Sequence, residues 1–111
     1  MTAILTGSQV YGNPRDYSDI DLVVLTDKET LLLLSDFADS VGNSDDADVN
    51  GYDRRSLMFG RLNLIIVTRR EDFEVWRQGT EQLKTMQPVD RKTACKVFIQ
   101  LRELQEKLTH G

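Results

Sequence analysis

Residues 7–25 read GSQVYGNPRDYSDIDLVVL, a Gly-Ser pair followed after ten residues by two aspartates set in an apolar run. Ile20, Leu22 and Val24 alternate with Asp19, Asp21 and Val23, a β-branched pattern that predicts a strand over residues 18–26. Side chains two apart on a strand point the same way, about 7 Å apart, so Asp19 and Asp21 share one face. Two like charges held side by side repel unless a cation lies between them. Carboxylate oxygens are hard donors, suited to Mg²⁺ carrying substrate phosphates rather than to zinc or copper.

The start of the stretch supplies a complementary feature. Residues 2–6 (TAILT) predict a short strand that runs into Gly7. A glycine there lets backbone N–H groups approach an anion closely, and Ser8 adds a hydroxyl donor. A triphosphate held at Gly7 and Ser8 then has its metal at Asp19 and Asp21. Taken singly, a Gly-Ser pair is a turn and an Asp-x-Asp at a strand entrance is a solvated cap; only their combination and spacing point to chemistry.

That combination resembles the DNA polymerase β-like nucleotidyltransferase superfamily, and most closely its minimal members, whose pattern is roughly GSxAxG, five residues, SDxDL. Gly7, Ser8, Gly12, Ser18, Asp19, Asp21 and Leu22 fall on the pattern in register. Val10 stands where a small Ala is common, and Thr6 where an apolar residue often precedes the glycine. The resemblance is carried by residues 4–25, extends to 52–68 and is silent on the remainder.

The resemblance implies a sheet that carries the carboxylates on one face. The implied reaction is the Mg²⁺- or Mn²⁺-dependent transfer of a nucleoside monophosphate from a nucleoside triphosphate to a hydroxyl acceptor on a protein or RNA. Asp19 and Asp21 would hold the metal, and Gly7 and Ser8 the β- and γ-phosphates. Arg15 or Arg54 would be cationic helpers, unless both are plain surface residues. Members of the superfamily place a third carboxylate on a later strand, where this chain has Leu62-Asn63-Leu64. Asn63 can offer a carbonyl oxygen to a metal but cannot accept the proton of an attacking hydroxyl. Three readings stay open: Asn63 completes the catalytic set, Asp53 substitutes for it, or the domain binds with weak catalysis or none. Short members that act as antitoxins, modifying or masking a partner toxin, and short phage-encoded members have the same layout. A protein-binding role therefore stands beside the transferase.

Composition narrows the classes. The 111 residues make one domain, 1–111, with 40% hydrophobic and 29% charged residues, an ordinary globular profile. No run of eighteen apolar residues and no basic-then-apolar leader occurs, so a cytoplasmic location is expected. Cys95 is the single cysteine and reads as packing; His110 is the single histidine, next to the C-terminus. That inventory excludes a His-based triad and a Cys/His zinc site. The net charge of −4 is uneven: residues 1–50 carry ten acids and two bases, residues 51–111 eight acids and twelve bases. The acidic half holds the aspartates, and the basic half can face phosphates or an acidic partner. The overall sign argues against tight nonspecific binding to duplex nucleic acid.

Along the rest of the chain, Asp27 reads as the N-cap of a helix through about Val41, well buried because Leu31 to Leu34 are four leucines in a row. Residues 42–51 (GNSDDADVNG) form an acidic loop that opens like an EF-hand but has Leu57 where the bidentate Glu is required. Residues 52–59 and 62–68 predict a hairpin turning at Gly60-Arg61. Thr68 to Glu71 is a capping-box pattern opening a helix with Phe73, Trp76, Thr80 and Leu83 on one face. Gly79 within it marks close packing. Asp90 starts a last helix with the stripe Ala94, Val97, Phe98, Leu101, Leu104 and Leu108. Trp76 and Phe98 suit either core packing or base stacking. The sum is an α+β or α/β fold, a small mixed sheet with helices over one face.

Overall fold

Strand alternation and two helix caps generate the elements seen in the structure, a computed structural model. It describes residues 2–13, 19–40 and 54–110, with the backbone alone at 38–40, 54, 55, 109 and 110. In chain order these are β1 (Thr2–Thr6), α1 (Ser8–Tyr11), β2 (Ile20–Leu25), α2 (Lys28–Ser40), β3 (Arg54–Phe59), β4 (Leu62–Val67), α3 (Arg70–Lys84) and α4 (Arg91–His110). The strands form one mixed sheet in the order β1-β2-β4-β3. Its central pair, β2 and β4, is parallel, while β1 on β2 and β3 on β4 are antiparallel. The expected α+β fold with a small mixed sheet is therefore what forms; the short helix α1 had no counterpart in the sequence reading.

Helices lie on both faces of the sheet, where the sequence placed them over one. Val23, Ile65 and Val67 pack against Phe73 and Trp76 of α3. Leu57 and Ile66, of opposite parity, pack against Leu31 and Leu34 of α2. The near-continuous apolar runs Leu22–Leu25 and Leu64–Val67 are those of strands buried on both sides, which a period of two on one face would not require.

Asp27 caps α2 as expected, accepting from the Thr30 N–H at 2.7 Å. The leucine run is not buried throughout: Leu31 is buried, but Leu32 and Leu33 are 55% and 65% exposed. Consecutive helical residues are about 100° apart around the axis, so one sheet cannot cover four in a row. Phe37 is exposed yet stacks on Phe59, with ring centroids 6.0 Å apart. The β3–β4 hairpin turns at Gly60, whose φ of 62° suits a residue without a Cβ.

Helix α3 opens one residue later than the capping-box pattern Thr68–Glu71 places it. It begins at Arg70 with Arg69 in the cap position and no side-chain cap bond. Arg69 instead pairs with Asp72 at 3.1 Å, because the later start brings those two one turn apart on the exposed side. Asp90 does cap α4, accepting from the Thr93 N–H at 2.7 Å. The α3–α4 contact closes at Gly79, where a Cβ would overlap the Phe98 ring. Trp76 and Phe98 pack on each other with centroids 4.8 Å apart, so these aromatics pack against each other between α3 and α4. Cys95, expected to pack, is exposed: it follows buried Ala94 and turns to the outer side of α4. Leu104 and Leu108, at the end of the stripe, are exposed as well. No helix among the described residues is long and apolar enough to cross a membrane.

Candidate active site

Gly7 ends β1 with φ 80° and ψ −165°, a backbone state that L side chains rarely adopt. This turn sends the chain into α1, where the Val10 and Tyr11 N–H groups donate to the Gly7 carbonyl at 3.0 and 3.2 Å. A Cβ built on Gly7 would overlap Asp21 Oδ2. The glycine is thus required twice, by its φ and by the carboxylate that fills the space beside it.

Asp21 is on β2 directly across from Thr6 on β1 and from Asn63 on β4. Asn63 Nδ2 donates to Asp21 Oδ1 at 3.0 Å, and Ser56 Oγ on β3 donates to Asn63 Oδ1 at 2.6 Å. A row of polar side chains therefore crosses the sheet from β3 to β2 and ends against the Gly7 turn. It lies on the face covered by α3, since Asp21 shares parity with Val23, and Asn63 with Ile65 and Val67.

Burial pushes the Asp21 carboxyl above the usual carboxylate range; the Asn63 hydrogen bond opposes this, the Asp19 charge adds to it, and the Arg91 charge opposes it. The Asp19 charge acts on Asp21, while Asp19 precedes β2, which begins at Ile20 rather than at residue 18. Asp19 itself is exposed. Asp21 carries a penalty for its charge from burial, which a nearby cation would offset. No group of three His, Cys, Asp or Glu residues able to hold a metal occurs among the described residues.

The structure thus brings Gly7, Asp21 and Asn63 together, with Ser8 next in chain as the first residue of α1 and Asp19 two residues before Asp21, exposed. Arg15, Asp53 and the acidic loop 42–51 lie outside the described residues, as does the Arg54 side chain. Arg54 pairs with Val67, four positions along β4 from Asn63.

Four contributors were missed. Tyr11 is buried, and its hydroxyl bonds to the Thr6 side chain; burial raises its pKa, the Thr6 bond and Gly7 backbone oppose, and the Asp21 charge adds to the rise. Thr6 is fully buried and shares a 2.6 Å hydroxyl hydrogen bond with Thr80 of α3, which ties β1 under that helix just before the Gly7 turn. Ser56 was legible in principle, because a two-residue turn at Gly60-Arg61 puts it diagonally across from Asn63. Arg91, in the first turn of α4, acts on Asp21 through its charge, and two residues earlier the Val89 N–H donates to the Tyr11 carbonyl at 2.8 Å. No local signal links Arg91 to Asp21. Other bases of the second half face acids instead: Arg77 pairs with Glu74 at 2.7 Å and Lys84 with Glu81 at 3.3 Å. A groove of about 280 Å³ along the edge strand β1 is lined by Ile4, Leu5, Val10 and Thr80 among others, and includes neither aspartate.

A family model described as nucleotidyltransferase domain matches residues 2–88. The match spans Gly7, Ser8, Asp19, Asp21 and Asn63 and stops before α4 and Arg91. No curated protein and no solved structure gives a significant match.

Proposed function

Because the chain belongs to the nucleotidyltransferase domain family, we propose that it transfers a nucleoside monophosphate from a nucleoside triphosphate to a hydroxyl acceptor. The observation that carries this reading is the contact between Gly7 and the Asp21 carboxylate, which puts the glycine turn and the second aspartate of the Asp-x-Asp pair side by side. The acceptor oxygen attacks the α-phosphorus, a new O–P bond forms, and the bond to the β-phosphate breaks, with pyrophosphate leaving with the electron pair. Asp19 and Asp21 would hold Mg²⁺ or Mn²⁺, which when bound would neutralise charge on the phosphates and help to orient them. Gly7 admits the triphosphate to the backbone, Ser8 donates its hydroxyl to it, and Arg91 supplies positive charge from α4. Tyr11 and the Thr6–Thr80 pair hold the turn in place. Asn63 is a neutral amide and takes no proton, so the acceptor proton passes to solvent or to an aspartate.

The test is incubation of the pure protein with each α-labelled nucleoside triphosphate, Mg²⁺ or Mn²⁺, and protein and RNA acceptors from a lysate. Label on an acceptor, lost in the Asp19→Asn/Asp21→Asn variant, is the expected result. Absence of transfer under every combination would overturn the reading. The amide at position 63 favours a second one, a nucleotidyltransferase-fold module that binds a protein partner with weak catalysis or none, in the manner of an antitoxin. That reading expects a stable complex that survives loss of both aspartates.

A further inference from the structure

Ser56, Asn63 and Asp21 come from β3, β4 and β2, and their hydrogen bonds run in one direction. The Ser56 hydroxyl donates to the Asn63 carbonyl oxygen at 2.6 Å, which turns the amide so that its NH₂ faces Asp21 at 3.0 Å. An amide nitrogen in this position is a donor and has no lone pair to give a cation. It also places partial positive charge on that flank of the carboxylate, at Oδ1, and leaves Oδ2 as the oxygen for a cation. A pair of cations about 3.5–4 Å apart is held by a carboxylate with both oxygens free to bridge them. Here one Asp21 oxygen is capped by Asn63, and position 63 itself presents an amide N–H to it.

Resting on the proposed nucleotide-binding reading, we infer that Ser56 and Asn63 are positioning residues that fix Asp21 so that the site takes a single divalent cation. Asn63 fills the flank where a second would stand. Ser56 acts only through Asn63, by choosing which end of the amide faces the carboxylate. The inference concerns how many cations the site holds and what aligns Asp21, and it stands whether transfer is fast or slow.

The experiment counts Mn²⁺ in the ternary complex with a nucleoside triphosphate whose α,β-bridge is methylene, by equilibrium titration with electron paramagnetic resonance of free Mn²⁺. The wild-type chain should bind one Mn²⁺ at saturation, and Asn63→Asp should bind two. Ser56→Ala should keep one but bind it several-fold more weakly with an unchanged melting temperature, and Ser56→Thr should restore the affinity. Two Mn²⁺ in the wild-type complex, or one in Asn63→Asp, would overturn the single-cation inference. Unchanged or tighter binding in Ser56→Ala would overturn the positioning role. No Mn²⁺ in the wild type even with the analogue would remove the nucleotide-binding reading itself, an outcome separate from a count of two.

Discussion

The carboxylate of Asp21 occupies the space that a side chain on residue 7 would need. Gly7 and Asp21 are fourteen positions apart on neighbouring strands, and they meet because β1 and β2 pair antiparallel with Thr6 opposite Asp21. A residue with a Cβ at position 7 would face both a positive φ and a carboxylate in its way. Gly7→Val is therefore expected to abolish nucleotide binding and to lower the melting temperature. Ser8→Ala keeps the turn and should weaken binding about tenfold, the loss of one hydrogen bond to a charged group at roughly 1.5 kcal/mol. Calorimetric titration with a nucleoside triphosphate measures both, and equal, negligible effects would reduce the pair to an ordinary turn.

The aspartates repel, and burial of Asp21 adds to the cost. Asp19→Asn/Asp21→Asn should remove metal-dependent nucleotide binding while leaving the metal-free protein as stable as before or more so, since the charge penalty goes with the charges. Metal titration and thermal melting on the same preparation decide this. Metal-dependent affinity equal to that of the wild type would rule out the two carboxylates as ligands.

Arg91 puts a positive charge near Asp21 from a helix beyond the matched family region. Replacing it by Ala should weaken triphosphate binding about tenfold, flatten its dependence on salt, and spare metal binding in the absence of nucleotide; Arg91→Lys should recover part of the loss. A full loss of metal binding in Arg91→Ala would instead mean that α4 had come away from the site.

At the α3–α4 contact, Gly79→Ala drives a methyl into the Phe98 ring. Overpacking of this kind costs about 1–3 kcal/mol, or roughly 5 °C or more in melting temperature for a domain of this size. Pairing Gly79→Ala with Phe98→Leu should recover part of the loss in a double-mutant cycle.

Acid should act on the helix caps. Asp90 has its pKa lowered from 3.8 by the Thr93 backbone N–H, so the stability it adds is present above 3.8 and is lost as pH falls through the lower folded-state value. The melting temperatures of wild type and Asp90→Ala should differ at pH 7 and converge on acidification. A gap that stays constant down to pH 2 would show that the charged carboxylate is not what caps α4.

What the sequence determined by itself was whatever depends on neighbours a few residues away. Alternation at residues 20–24 marked the strand that carries Asp21, and Asp27 and Asp90 announced their helices because a cap reaches only three residues ahead. Gly7 and Gly60 were legible because turns impose backbone states that few other residues accept. Tertiary structure decided the rest. Asn63 meets Asp21 across 42 positions through a parallel pairing whose register no turn sets. The Arg91 charge acts on Asp21 from α4, a helix held by packing on α3 and by the Val89 bond to Tyr11. The exposure of Leu32 and Leu33, and the division of helices between two faces, followed from how much sheet each helix could cover. Such outcomes belong to competition among long-range contacts, for which an isolated stretch of sequence carries no local mark.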